Sequence, residues 1–192
     1  MIAKQSEVNP GNIEFYEEDF PWRYSPAKPN GDTLRPWISL IVLKEDEFDK
    51  EKAVSPLPQI KLKATADPLV VLPHSKETWL WAHVQKIESS ELPSDKTAAD
   101  HIISRLICPR KLEANKGYYA FVIPTFESGR LAGLGKSEKE IIDSNVKSQD
   151  PAWGLSPPQT IFPVYYEWFF RTASEMDFEY LASLLEAKAT DP

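Results

Sequence analysis

Proline punctuates this chain from Pro10 to Pro192, and that spacing limits the length of its regular elements. Seventeen prolines stand against seven glycines, spread along the chain without a cluster. Each pyrrolidine ring fixes φ at about −65° and removes a backbone donor, so it tends to end a helix or push a strand to an edge. The pattern implies many short elements joined by stiff, ordered connections, with no flexible-linker or collagenous segment. A hydrophobic content of 42% with 11% aromatics is enough apolar surface for a globular core.

Within that frame, periodicity separates strands from helices. WISLIVLK (37–44) is apolar on both faces, which fits a strand in the centre of a sheet. IKLKA (60–64) alternates, and PLVVLP is a short apolar run bounded by prolines. TWLWAHVQKIE (78–88) also alternates, with Trp79, Trp81 and His83 on one face; a helix is the competing reading. Strands are expected at 117–124 and 161–172, with Pro163 placing the start of the latter at an edge or bulge. A helix is expected from about 95 to 107, capped by Ser94, striped by Ala98, Ala99, Ile102, Ile103, Leu106 and Ile107, and stopped by Pro109. Short helices are expected near 138–146 and after Asp177.

Without a regular strand–helix alternation, the class is α+β. We expect residues 1–192 to form one domain, with 1–12 flexible. Its sheet, mixed or antiparallel, should include 37–44, 117–124 and 164–172. The 95–107 helix should pack on it through Ile102, Ile103 and Leu106.

A formal net charge of −7 argues against nucleic acid and against an anionic membrane surface as partners. The local basic group of Arg110, Lys111 and Lys116 reads as a solvated turn. Trp37–Leu43, the longest strongly apolar run, is too short to span a bilayer. MIAKQSEVNPGN lacks the apolar stretch of a signal peptide. One cysteine, Cys108, allows no internal disulfide, which fits the cytoplasm.

SGRLAGLGKS (128–137) invites comparison with a phosphate-binding loop, but the spacing fails. Counting back from Gly135-Lys136-Ser137, the first glycine of G-x-x-x-x-G-K-[ST] should stand where Arg130 is. Glu138 and Glu140 would repel a phosphate at the start of the following helix. The stretch reads instead as a glycine-punctuated linker followed by a capping box, Ser137 with Glu140. No nucleotide or other cofactor is expected.

Other chemistry has thin support. On one helix, Cys108 and His101 would lie about two turns apart, roughly 10 Å by helical rise and beyond hydrogen-bond reach. Cys108 therefore reads as a buried thiol. His74, His83 and His101 have no metal-ligand spacing. Glu17, Glu18 and Asp19, close to Trp22 and Tyr24, are the best local candidates for paired glycosidase carboxylates. The competing reading is an acidic, solvated edge.

The six tryptophans are the most informative feature. Pro21-Trp22 and Pro36-Trp37 each have an arginine close by, Arg23 and Arg35. Arginine stacks on indole, so Trp22, Arg23, Arg35 and Trp37 are the candidate binding residues, as one aromatic-cationic patch. The plainer alternative is that tryptophan and proline fill a core of irregular elements.

DFPWRYSP, LRPWISLIVL, WAHVQ, SRLICPRKLE, YYAFVIPTFESGRLAGLG and FPVYYEWFF, in this order, resemble a family of uncharacterised bacterial proteins. The resemblance covers most of positions 13–180, with CPRKLE and PTFESGRLAGLG its most specific parts. It implies no activity, cofactor or catalytic residue. Members are often longer, which implies an N-terminal portion of a larger protein. The combined reading is a non-catalytic interaction or scaffold module with protein partners in a larger assembly. The alternative is a carbohydrate-binding module or glycoside hydrolase using the tryptophans as platforms.

Overall fold

The computed structural model describes residues 11–51, 55–86, 102–156 and 158–173. Three antiparallel sheets and a few short helices make the class α+β, rich in β. The first sheet orders β1 (Asn12–Phe15), β6 (Ile102–Ile107) and β5 (Ala82–Lys86) as β1–β6–β5. The second orders β2 (Ile38–Leu43), β7 (Gly117–Pro124) and β9 (Tyr166–Arg171) as β2–β7–β9. The third orders β3 (Phe48–Glu51), β4 (Gln59–Leu62) and β8 (Ile161–Pro163) as β3–β4–β8.

The sheet expected from sequence is therefore antiparallel and contains the three expected segments, and two further sheets cover it. All six residues of β2 are buried because both faces of its sheet are covered. Side chains alternate across β2 and β7, as the pleat requires. Leu40, Val42, Tyr118, Ala120 and Val122 pack toward Ile13, Phe15, Ala82 and Leu106 of the first sheet. Ile41, Leu43, Phe121 and Ile123 pack toward Phe48, Ile60, Leu62 and Phe162 of the third. Each fully buried aliphatic or aromatic side chain here contributes roughly 1.5–3 kcal/mol.

The expected helix over 95–107 gives way at 102–107 to β6; residues 95–101 lie outside the described residues. Ile102–Ile107 satisfies a helical stripe and a strand alternation equally well. Two ladders decide between them, because β6 pairs with β1 on one side and β5 on the other. Ser104 and Leu106 point into the core, whereas Ile102 and Ile103 are half-buried. The segment 161–172 divides at Val164–Tyr165 into β8 and β9, which serve different sheets. Residues 78–81 form a 3-10 turn that feeds directly into β5. PLVVLP folds as α1 (Pro68–Val71), with the Asp67 side chain accepting from the Leu69 amide. The helix anticipated after Asp177 lies outside the described residues.

The glycine stretch is a helix, α2 (Glu127–Gly133), and not a linker. Its glycines permit close packing. A Cβ on Gly133 would lie 2.6 Å from Pro163 Cγ, and one on Gly129 would lie 3.3 Å from Pro124 Cβ. Arg130, in the place a phosphate loop would give to glycine, donates to both Glu127 carboxylate oxygens and to Ile161 O. After Gly135, which turns at φ 89°, Ser137 and Glu140 form the expected capping box of α3 (Glu138–Asp143).

Arg110 also departs from expectation. It is buried beneath the chain and not part of a solvated turn. Its Nη1 donates to Val42 O at 2.9 Å and to Glu47 Oε2 at 2.6 Å, and its Nη2 donates to Glu47 Oε1 at 2.8 Å. The guanidinium lies 5.5 Å from the Tyr118 ring centroid.

Candidate functional site

Residues 16–37 form an irregular strap on the first and second sheets, and its two Pro-Trp steps are its anchors. The Trp37 amide donates to Pro21 O at 2.9 Å, and the Ser25 hydroxyl donates to Arg35 O at 2.6 Å, tying the two limbs together. Ser104 Oγ on β6 donates to Glu17 O at 2.6 Å, holding the strap to the sheet. Each indole N–H is spent within the strap: Trp22 Nε1 donates to Leu34 O at 2.9 Å and Trp37 Nε1 to Phe20 O at 2.7 Å. Both rings are thus fixed in orientation and half-buried, with part of each left at the surface.

The rings open onto different clefts. Trp22 lines a shallow cleft of about 410 Å³ with Trp79, Leu34, Leu80, Val84, Asp32 and His83. Trp37 lines a second of about 300 Å³ with Phe15, Phe20, Val122, Tyr165 and Tyr166. Around Trp37 the aromatic rings touch edge to face. Tyr24 and Tyr165 each lie 5.3 Å from it, and Phe20 lies at 5.8 Å. Such tilted pairs favour a rigid ring cluster. Tyr24 is 64% exposed, Tyr166 51% and Tyr165 38%, so this cluster continues from the core to solvent. Partial burial raises the Tyr165 phenol above its ordinary pKa.

The two candidate arginines do not stack on the indoles. Arg35 lies over the Phe126 ring at 4.8 Å and donates to Gln149 O at 3.1 Å. Arg23 lies 5.9 Å from the Phe20 ring centroid and is clamped by two carboxylates, Glu17 at 2.8 Å and Asp19 at 2.6 Å. Its hydrogen bond holds Asp19 below the usual carboxylate range and raises Arg23 in turn. Of the four, only Trp22 and Trp37 reach a cleft lining. Sequence reasoning missed Tyr165 and Tyr166 as surface residues because 161–172 looked like one strand. The break after Pro163 was the available signal.

Glu17 and Asp19, raised as glycosidase carboxylates, serve as the Arg23 clamp on an exposed turn. Cys108 is buried as expected; loss of hydration pushes its thiol up to about 11. Its Sγ accepts from the Arg110 amide at 3.4 Å. Lys136 pairs with Glu140 at 2.9 Å, and with the Ser137 hydrogen bonds this pulls the Glu140 carboxyl down to about 2. Among the described residues, no group of three or more His, Cys, Asp and Glu side chains could hold a metal ion. No described helix is long and apolar enough to cross a membrane. Comparison with protein-family models, curated proteins and solved structures yields no match.

Proposed function

We propose that this chain is a non-catalytic interaction module of a larger bacterial protein or assembly, docking a protein partner through the aromatic surface around Trp37. One observation carries the reading. Tyr24, Trp37, Tyr165 and Tyr166 form a continuous aromatic surface that begins in the core and ends in solvent. Tyrosine and tryptophan dominate interface hot spots because they bury large areas at small entropic cost. Here much of that cost is met in advance: the strap hydrogen bonds fix Trp37, and Pro21 and Pro36 stiffen the backbone beside it. The lone, buried Cys108 supports placing the protein in the cytoplasm.

The test is affinity capture from an extract of the native host, comparing the wild-type chain with Tyr24→Ala/Tyr165→Ala. Both tyrosines are partly exposed, so the variant should fold, as circular dichroism would check. Partner recovery should fall at least tenfold, with purified partner and chain then reproducing the loss. Equal recovery by a folded variant sinks the proposal.

A further inference from the structure

We infer that the Trp22–Trp79 cleft receives an arginine or lysine side chain of the protein partner. This rests on the reading of the chain as an interaction module and assigns a second contact beside the Trp37 surface. The cleft holds an unspent charge. Three nearby carboxylates are matched: Glu17 and Asp19 by Arg23, and Glu14 by Arg105 at 3.6 Å. Asp32, in the cleft lining, makes no hydrogen bond or ion pair among the described residues, and no lysine or arginine lines that cleft. The unpaired Asp32 carboxylate disfavours an anionic ligand there.

The walls narrow the choice further. Trp22 and Trp79 offer indole surface, and Leu34, Leu80 and Val84 complete an apolar lining. A cation within about 6 Å of an indole face is attracted by the ring quadrupole, and a guanidinium also stacks flat on it. A sugar would need donors for its oxygens, but the Trp22 N–H is spent on Leu34 O and the Thr33 hydroxyl on Asn30 O at 2.8 Å. Among the described residues the Asp32 carboxylate, Trp79 and His83 remain for hydrogen bonding, a sparse set for a hydroxyl-rich ring, whereas the carboxylate matches a cation by charge. The site is also held in shape. Asn30 and Thr33 exchange backbone hydrogen bonds around Gly31, which takes φ 58°, and Trp79 sits in the turn that runs into β5. A net charge of −7 would speed encounter with a basic partner.

The test uses ¹H–¹⁵N spectra of the full chain, following the Trp22 and Trp79 indole N–H peaks, assigned with Trp22→Phe and Trp79→Phe. The probes are N-acetyl-arginine amide, N-acetyl-lysine amide, N-acetyl-glutamine amide and maltotriose. The two basic amides should move both peaks saturably, and the glutamine amide and maltotriose should not. Asp32→Asn should weaken binding about three- to fivefold, the scale of one exposed ion pair, and Trp79→Ala should abolish it. Raising salt to about 1 M should weaken the wild type toward the Asp32→Asn level. Equal or larger shifts with maltotriose would make this a carbohydrate site and overturn the inference. So would basic-amide binding that ignores Asp32→Asn, or peaks that no probe moves. If capture depends on Tyr24 and Tyr165 while no probe moves these peaks, this inference alone fails. Should capture ignore those tyrosines, the interaction reading fails whatever the cleft binds.

Discussion

Gly133→Ala places a single methyl where the fold has no room for it. An alanine Cβ would stand 2.6 Å from Pro163 Cγ, 2.7 Å from Pro163 Cβ and 3.3 Å from Leu57 Cδ1. Carbon pairs prefer about 3.5–4.0 Å, so two contacts overlap by about 1 Å. The proline ring has no rotamer to yield, and its strand is held by pairing of β8 with β4 and by Val164 N donating to Pro58 O. Overpacking of this kind costs about 1–3 kcal/mol, set against roughly 0.5–1 kcal/mol that alanine gains over glycine in a helix. We expect a net loss of about 1–2 kcal/mol, a fall in Tm of roughly 2–8 °C for a chain of this size. Gly129→Ala is the internal control. Its Cβ meets Pro124 Cβ at 3.3 Å and Tyr165 Oη at 3.9 Å, a contact relieved by a few tenths of an ångström. It should change stability by less than about 0.5 kcal/mol, the scale of a substitution without strain. Urea and thermal unfolding measure both. If Gly133→Ala proves as stable as wild type, a role for this glycine in helix–strand contact is refuted.

Breaking the buried pair should be the most damaging polar change. Arg110→Met leaves the Glu47 carboxylate, whose side chain is 11% exposed, without its partner, and should cost about 3–5 kcal/mol in urea unfolding. Adding Glu47→Leu should recover much of that loss. Glu47 also predicts a pH response. Burial penalises its charged form, but hydrogen bonds from Arg110 and the Lys44 amide outweigh that and lower its pKa below 4.5. Its contribution should be complete above that value and fade as pH falls through the lower native one; wild-type acid unfolding should show this and Glu47→Gln should flatten it. Cys108, buried and pushed up to about 11, should resist iodoacetamide at pH 8 in the native protein and react once unfolded, as mass spectrometry would show. Removing the Phe121 ring from the covered face of the central sheet with Phe121→Ala should cost about 3–5 kcal/mol.

Local chemistry alone determined several features. Residues 37–44 are apolar on both faces, the pattern of a strand covered on both sides, and β2 is such a strand. Ser137 and Glu140 carry their cap within one turn of helix, so it was legible. The failures have the opposite character, because their causes are distant in the chain. Ile102–Ile107 fits two periods, and pairing with β1 and β5 selects one. The glycines of α2 look like flexibility until Pro163 is seen against them. Arg110 reads as a surface charge until Glu47, 63 residues away in the chain, is seen against it. The candidate site divides in the same way. Pro-Trp steps marked Trp22 and Trp37, but sequence could not say that Trp22 would face Trp79 and Asp32 while Trp37 joined Tyr165 and Tyr166. Short elements broken by proline leave their partners to be chosen by packing, and packing is a property of the assembled sheets.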